Sequence, residues 1–415
     1  MNKSLLKQML NYFSKVYHIG EIIKGVKDKR LKPQIKITVI SFTVLIGFML
    51  QIPSFNRLEY WIKKGKFKKL LPRKTKMPSI DAVRYCLDRI EIDSLNNMHR
   101  SIIKTAVENK VFRNGTIDGY KVAAIDGVEL FESTKKCCEE CLTRVVSGVT
   151  HYFHRSVVCM TVGSDPHIIL GEEMLKPKKD GSNKDEGELT GGKRLIRRLH
   201  EEFNHFADIV VADALYMKAP WIRELLDLGI DAVIRVKDER LGIVKEATAL
   251  YKCLKADREW IVSPKGRKKI KVTAWDKSDF EMTGLEDTVR FVKFVEEIHH
   301  GNKFEEKEVW IVTTNKSIAV ETLWKIIHRR WDIENNGFHQ LKGEWNLDHC
   351  FLHSSSGVEA VLTFMMMAFN LMQLFFFRCI RNFRERKLLQ VNIIEDLRDE
   401  LILYCNINPI MMNTS

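Results

Sequence analysis

A run of short apolar segments after residue 118 constrains the fold of this chain more than any other feature of the sequence. The segment 121-KVAAIDGVEL-130 is a short apolar run interrupted by Asp126-Gly127, and β-rich runs follow at 149–163 and 167–175. Short apolar and alternating runs separated by turn residues are typical of strands. The sequence therefore predicts three strands of an antiparallel meander.

An alternation of helices and strands follows this meander. Residues 187–203 have helical periodicity and 208–216 form a predicted strand that ends at an acid. Residues 220–229 start with proline and stop with glycine, as helices do, and 231–237 predict a further strand. A meander followed by αβαβ is the element order of a ribonuclease-H-like mixed sheet. We therefore predict an α/β fold with such a sheet and flanking helices.

The positive charge is concentrated in the first fifth of the chain. Residues 1–80 contain 18 Lys and Arg against 3 Asp and Glu, whereas the remainder contains 49 basic and 51 acidic side chains. In the densest run, 63-KKGKFKKLLPRKTK-76, apolar residues interleave the bases. A basic stripe on amphipathic helices is typical of a nucleic-acid-binding module. A solvated charged face or a membrane-surface helix would have a similar composition.

These patterns divide the chain into five predicted parts. A predicted hairpin at 257–276 and a strand at 288–298 indicate a β-rich insertion, after which a strand at 308–315 leads into a long helix from about Val320 through Trp345. The parts are a basic helical DNA-binding region at 1–115, which is an α-helical N-terminal domain, the first part of the core at 116–242, the β-rich insertion at 243–307, the second part of the core at 308–380, and a C-terminal helical tail at 381–415.

Cysteine content and hydropathy indicate the cellular setting. Nine cysteines in 415 residues, with no secretory leader visible, favour a reducing cytoplasm. Residues 361–377 are nearly all apolar over roughly a membrane-spanning length. Because this run includes Asn370 and Gln373 and no comparable segment exists, a buried core helix is favoured and no membrane partner is expected.

A cysteine cluster allows two interpretations. Cys137, Cys138 and Cys141 lie near His151 and His154, and C-x-x-C spacing with two histidines is compatible with structural zinc. The short separation of Cys141 from His151 and the expected strands in this region favour ordinary reduced thiols instead.

Three carboxylates occupy comparable places in the predicted sheet. Asp126 ends the first core strand, Asp213 ends the fourth, and Glu334 lies on the helix after the last. Functional groups at strand ends converge at one edge of a sheet, and carboxylates without Cys or His suit hard cations such as Mg²⁺ or Mn²⁺. Two such ions about 3.5–4 Å apart can activate a water or a 3′-hydroxyl and stabilise the leaving oxygen of a phosphodiester.

Each acid also has an ordinary structural explanation. Asp126-Gly127 has the composition of a turn, and Asp213 is suited to capping the next helix. Glu334 lies four residues after Arg330, and a surface ion pair at this spacing is worth about 0.2–0.5 kcal/mol. Only the joint order of the three acids on this framework favours a metal site.

Taken together, about residues 78–380 resemble the DDE transposases of bacterial insertion sequences, of the insertion-sequence-four type with a β-strand insertion before the final Glu. That family has the helical motif Tyr-x-x-Arg-x-x-x-Glu-x-x-x-x-x-x-Lys, and Arg330 and Glu334 match its central part. Ile327 replaces the tyrosine, and Lys342 follows Glu334 by eight residues rather than seven. On an ideal helix this shift rotates the lysine by about 100°, unless Gly337 loosens the helix.

The resemblance implies a metal-dependent enzyme that nicks DNA and transfers strands at the terminal inverted repeats of an insertion sequence. It implies that Asp126, Asp213 and Glu334 bind two Mg²⁺ or Mn²⁺ ions as the catalytic residues. The resemblance and the basic turn at 265–269 together give the predicted DNA contacts, which are Arg330, Lys342, Arg235, Lys237, Trp310, Arg267 and Lys268. Trp310 would stack on a flipped base. Arg235 and Lys237 would otherwise be a solvated strand end, and Trp310 a core tryptophan. Arg267 and Lys268 would otherwise be a solvated hairpin tip.

The resemblance also implies double-stranded DNA as the partner, both the repeats and the target. It further implies a homodimer in a synaptic complex and a bacterial, cytoplasmic, nucleoid-associated location. The alternative function is that of a catalytically decayed or domesticated relative that binds DNA without cutting it.

Overall fold

A strand whose first four residues are fully buried lies at the centre of this computed structural model, which describes residues 4–178, 184–238, 241–264, 268–300 and 303–403. The strands of the described chain are β1 Val122–Ser133, β2 Leu142–Val146, β3 Val149–Thr161, β4 Ile169–Met174, β5 Ile209–Ala212, β6 Asp231–Val236, β7 Arg258–Val262, β8 Lys268–Phe280, β9 Val289–His300 and β10 Lys303–Thr313.

Helices precede, interrupt and follow these strands. Those before the sheet are α1 Leu5–Val16, α2 Ile19–Ile22, α3 Ile37–Met49, α4 Phe55–Lys63, α5 Ile80–Leu87 and α6 Ile92–Glu108. Those within and after it are α7 Glu188–Phe203, α8 Ala219–Asp227, α9 Gly242–Cys253, α10 Val320–Arg329, α11 His339–Gly343, α12 Ser355–Leu374 and α13 Gln390–Leu403.

The ten strands of the described residues form one mixed sheet in the order β2-β3-β1-β5-β6-β10-β9-β8-β7, with β4 also paired to β3. The central strand β1 runs antiparallel to β3 on one side and parallel to β5 on the other, and β5 runs parallel to β6. The antiparallel meander followed by two parallel crossovers is the ribonuclease-H-like arrangement. This confirms the predicted fold class.

The predicted insertion extends the same sheet. Strands β7, β8 and β9 pair antiparallel in sequence order, and β10 joins β9 to the core strand β6. The helix α9 precedes these strands, where the sequence indicated only β structure. The proposed boundaries of the five parts stay a prediction.

The apolar segment at 361–377 lies inside the protein. Its helix, Ser355–Cys379, is long and apolar enough to cross a membrane, yet 94% of its most apolar window is buried. Helices α3, α5 and α6 of the basic N-terminal region pack against α12. The helix is therefore a core element shared by the N-terminal helices and the sheet, as the sequence favoured.

The long helix predicted from Val320 through Trp345 is interrupted, so that prediction is wrong in its continuity. Helix α10 ends at Arg329, a turn follows, and residues Ile333–Phe338 form a π-helix that leads into α11. Isolated π-turns inside helices are frequent at functional sites. This interruption falls on the stretch that contains Glu334.

Asn370 tests the role of α12 as a core element. Its fully buried amide accepts from the Ile169 N–H and donates to the Ile169 C=O, both at 2.8 Å, at the start of β4. Asn370→Leu leaves both backbone groups unpaired, and each costs about 1–3 kcal/mol. We expect a loss of roughly 2–5 kcal/mol in the free energy of unfolding, measured by urea denaturation. The matched control, Met366→Leu on the same buried face, should cost less than about 1.5 kcal/mol.

Candidate active site

The register of two parallel strands places two of the predicted acids side by side. Ala124 of β1 pairs with Val211 of β5, and Asp126 and Asp213 each follow two residues later. Both acids therefore lie at the same level on adjacent strands. Asp213 follows the last residue of β5, but β1 continues past Asp126 to Ser133, so the prediction that Asp126 ends its strand is wrong. Asp213 also caps the short 3₁₀ turn after β5, since its Oδ1 accepts from the Leu215 N–H at 2.8 Å.

Arg330 connects the third acid to Asp126. Its Nη1 lies 3.0 Å from Glu334 Oε1 and 3.7 Å from Asp126 Oδ2. The Arg330 side chain is only 3% exposed, and its guanidinium lies 4.2 Å over the ring of Trp331. The i,i+4 pair of the sequence is thus not a surface ion pair. It is part of a half-buried group of one cation and two carboxylates.

Burial raises the pKa of Asp126 to about 7. The Gly127 N–H, which donates to Asp126 Oδ1 at 2.9 Å, and the Arg330 charge lower this pKa, whereas the charges of Glu188 and Glu334 raise it. A carboxyl group with this pKa is half protonated near neutral pH. The raised pKa of Asp126 is therefore mainly an effect of burial, to which the two nearby carboxylates add.

Glu188, at the start of α7, is a fourth carboxylate that the sequence did not reveal. A methyl group on Gly127 would come within 2.3 Å of the Glu188 side chain, so the two residues are in direct contact. Glu188 is 9% exposed and its Oε1 lies 3.1 Å from Arg155 Nη2. Its pKa is raised by burial and, further, by the charge of Asp213. Glu188 is therefore close enough to both Asp126 and Asp213 to interact with their charges.

Tyr216 lies among the same carboxylates. Its side chain is wholly buried, and its hydroxyl has no hydrogen-bond partner among the described residues. Burial raises its pKa, and the charges of Glu188, Asp126 and Asp213 raise it further. A buried polar atom without a partner normally requires water or a bound group beside it.

The turn after α10 is held in place by polar contacts. Asp332 is 6% exposed and accepts from the Gly163 N–H at 2.9 Å and from the Asn336 amide at 3.1 Å. A methyl group on Gly337 would come within 3.0 Å of Met160 Sδ on β3. The segment around Glu334 is therefore fixed tightly against the sheet, and Asn336 supports it.

The π-helix changes the position expected for Lys342. Its hydrogen bonds span five residues instead of four, so it accommodates one residue more than an α-helical turn. The eight-residue spacing from Glu334 to Lys342 then corresponds to seven on a regular helix. Lys342 is exposed on α11. Gly337 lies within the loosened stretch, as the sequence had suggested.

Three predicted DNA contacts lie together in one cleft. Ile234 of β6 pairs with Ala212 of β5, so Arg235 is level with Asp213. Arg235, Lys237 and Trp310 line one cleft, whose other bases are Lys245, Lys252 and Lys293. The Trp310 ring is partly buried beside Tyr251, and the Lys293 ammonium lies 4.9 Å over it.

Arg330, Arg267 and Lys268 are three further predicted DNA contacts. Arg330 is buried between the acids and its Nε has no hydrogen-bond partner among the described residues, so it is not an exposed phosphate ligand in this state. Arg267 lies outside the described residues, and the side chain of Lys268 is likewise not described. The DNA-binding roles of all these side chains stay predictions.

The donor set fits hard divalent cations. Asp126, Asp213, Glu334 and Glu188 offer only oxygen ligands, which is the set that Mg²⁺ and Mn²⁺ prefer. A bound cation with its water would reduce the repulsion among these acids and would supply a partner for the Tyr216 hydroxyl. The residues present are therefore compatible with the metal ions that the resemblance implied.

The sequence contains one feature that points to Glu188, a pair of glycines in the same helix. Gly191 and Gly192 follow it by one helical turn, and methyl groups there would contact Leu175 on one side and Trp221 and Tyr216 on the other. Paired glycines in a helix allow it to approach its neighbours closely. An acid one turn earlier on that helix is a candidate for a site at the sheet edge.

The Asp126 pKa predicts how metal binding depends on pH. Below about pH 7 the folded protein holds a proton on Asp126 that a cation must displace, so affinity rises with pH and levels off above 7. We expect the apparent affinity for Mn²⁺ to rise up to about tenfold per pH unit from about pH 5.5 to 7. Titration calorimetry in two buffers of different ionisation enthalpy would measure this and the released proton. Equal affinity at both ends of this range would contradict it.

Comparisons with known proteins add the following. A family model described as a transposase DDE domain matches residues 167–371, which include Asp213 and Glu334. No curated protein matches the sequence. One similar solved structure is a cryo-EM piggyBac transposase synaptic complex with hairpin DNA, at 11% identity and a TM-score of 0.44 over 97% of this chain and 80% of that chain. Residues 167–371 therefore match the transposase DDE domain family, and the ribonuclease-H-like sheet that contains them agrees with this match.

Proposed function

We propose that this protein cleaves DNA and transfers strands at the terminal inverted repeats of an insertion sequence, with Mg²⁺ or Mn²⁺ held by Asp126, Asp213 and Glu334. The observation that supports this most strongly is the strand register. It puts Asp126 and Asp213 level on adjacent parallel strands, while Arg330 joins Glu334 to Asp126. Each acid alone has a structural explanation, but this convergence serves no evident structural need.

Two divalent cations in this site would polarise the attacking oxygen and neutralise the leaving oxygen of the phosphodiester. The residues of the chain position the acids and balance their charge. Glu188 adds a fourth oxygen donor near Asp126 and Asp213, and Arg155 neutralises its charge. Little covalent chemistry falls to the protein in phosphoryl transfer, so placement and electrostatics dominate the rate.

Arg330 has two roles in this proposal. Without cations it offsets the charge of Asp126 and Glu334, at 3.7 and 3.0 Å. When cations occupy the site, those carboxylates no longer need the guanidinium, and Arg330 becomes available to a phosphate beside the cut. An arginine suits this exchange because its fork binds carboxylates and phosphates with the same geometry.

The DNA would cross the carboxyl edge of the sheet toward the basic cleft. Arg235 and Lys237 would contact its backbone, and Trp310 in the same cleft would stack on an unpaired base. The segment 63–76 adds a second basic surface, since Phe67 and Leu70 are buried while Lys63, Lys64, Arg73 and Lys74 are exposed. This segment would bind the repeats, and the resemblance further supports a homodimer in a synaptic complex on nucleoid DNA.

Carboxamide variants test the catalytic assignment. With DNA that carries the element ends and Mg²⁺ or Mn²⁺, we expect Asp126→Asn, Asp213→Asn and Glu334→Gln each to lower nicking at least about a hundredfold. Glu188→Gln should lower it about 10- to 100-fold, the range for supporting groups of a metal site. The exposed Asp227→Asn and Glu281→Gln are matched controls and should nick at the unmodified rate. Full nicking by any variant of the first three would refute the assignment.

A decayed relative that only binds DNA is the second candidate, and one observation favours it. Ile327, at the position of the family tyrosine, is buried, and the next residue, His328, is paired with Glu296. Neither side chain offers a free hydroxyl to a phosphate. Tight binding to the repeat ends without cleavage in either metal would support this candidate over the enzyme.

Salt dependence tests the basic cleft separately from catalysis. Each phosphate neutralised contributes about 0.9 to the slope of log affinity against log salt. We expect the double variant Arg235→Gln/Lys237→Gln to lower the magnitude of that slope by up to about 2, measured by fluorescence anisotropy with a labelled duplex. Arg386→Gln/Lys387→Gln removes the same charge from an exposed segment after α12 and should leave the slope unchanged. An equal slope for the two variants would place the DNA elsewhere.

A further inference from the structure

Two cysteines and a histidine converge at the far end of the meander. Cys138 and Cys141 lie in the connection between β1 and β2, and His154 lies on β3. The Cys138 and Cys141 sulfurs are 3.6 Å apart, and His154 Nε2 lies 3.3 Å from the first and 3.4 Å from the second. Sulfurs at this separation are not joined by a disulfide.

These distances are close to those of a tetrahedral zinc centre. With zinc–sulfur and zinc–nitrogen bonds of about 2.3 and 2.0–2.1 Å, two sulfurs lie about 3.8 Å apart and a sulfur and a nitrogen about 3.6 Å apart. The three ligand atoms of Cys138, Cys141 and His154 thus already surround one point at the appropriate spacing.

The surroundings fix the three side chains in this arrangement. The Cys138 N–H donates to the Cys141 sulfur at 3.2 Å, which orients that sulfur. His154 is 2% exposed, and its ring lies 5.6 Å from that of Phe131. His154 is therefore a buried imidazole whose Nε2 is directed at two sulfurs.

The other candidates of the sequence cluster are not part of this group. Cys137 is exposed and does not join the three ligand atoms. His151 is instead paired with Glu132. The C-x-x-C pair therefore combines with the histidine on the buried face of β3, rather than with the nearer one in sequence.

A distant part of the chain lies beside this group. Lys136 Nζ lies 3.2 Å from His353 Nε2, and the other nitrogen of that ring lies 3.2 Å from Cys350 Sγ. Residues 350–353 therefore lie against the connection that contains Cys138 and Cys141. Cys350 is close enough to interact electrostatically with Cys141 but does not join the three ligand atoms, so it lies next to the group and not within it.

We propose that Cys138, Cys141 and His154 bind a structural zinc ion and that, on binding, Cys350 moves in from the adjacent segment as the fourth ligand. Thiolates and imidazole are the ligands of structural zinc, and C-x-x-C is its commonest spacing. On binding, the cysteine thiols release their protons to solvent. The ion would join the β1–β2 connection to β3 and to the segment after α11. This replaces the reduced thiols that the sequence favoured, and it does not depend on the proposed DNA cleavage.

Metal content of the purified full-length chain tests the site directly. We expect elemental mass spectrometry to find about one zinc ion per chain after loosely bound ions are removed. Cys138→Ser, Cys141→Ser and His154→Ala should each lose most of it. Cys137→Ser is the matched control, one residue away and exposed, and should retain full zinc. Absence of zinc from the unmodified protein, together with failure to take it up when added, would overturn the proposal.

Cobalt replacement identifies the ligands independently of folding losses. Tetrahedral Co²⁺ with thiolate ligands gives visible d–d bands and a near-ultraviolet charge-transfer band that grows with the number of thiolates. We expect Cys350→Ser to keep the tetrahedral bands but lose about a third of the charge-transfer intensity. An unchanged intensity would remove Cys350 from the site, and octahedral cobalt in the unmodified protein would refute the site itself. Circular dichroism of each variant shows whether the chain remains folded.

Discussion

The contact of one buried arginine with two carboxylates is the interaction on which the rest of the site depends. The charges of Glu188 and Glu334 both raise the pKa of Asp126, because a like charge nearby makes its ionisation less favourable. Arg330 lies 3.0 Å from Glu334 and 3.7 Å from Asp126 and is almost fully buried. An uncompensated buried charge costs about 3–5 kcal/mol. Without bound cations, Arg330 and the carboxylates of Asp126 and Glu334 therefore balance one another's buried charge.

Glu334 lies in an irregular part of its helix. A regular α-helix from Val320 would continue through Glu334. Here α10 ends at Arg329, and residues Ile333–Phe338 form a π-helix. Asp332 is bound to the Gly163 backbone and Gly337 packs on Met160, so the distorted segment is held from both ends of the turn. Irregular backbone persists only where its surroundings determine it, and it concentrates at functional sites.

The sequence predicted what depends on local pattern. Strand order follows from apolar runs, and the level placement of Asp126 and Asp213 follows from the parallel register of β1 and β5, although only β5 ends at its acid. Glu188 was missed because its contact with Gly127 is a tertiary distance that helical periodicity does not encode. The π-helix was missed for a similar reason, since its packing on β3 and not its residue propensities stabilises it.

The cysteine group and the acids occupy two ends of the same elements. Strand β1 contains Asp126 near its middle and leads into the connection with Cys138 and Cys141, while β3 pairs along β1 and contains His154. Cys350 follows the helices that contain Glu334 and Lys342. An ion bound by these ligands would join the strand of the first acid to the segment that follows the last acid. Its effect on the active site would then be positional, because it would fix how far β1 and the Glu334 segment can separate.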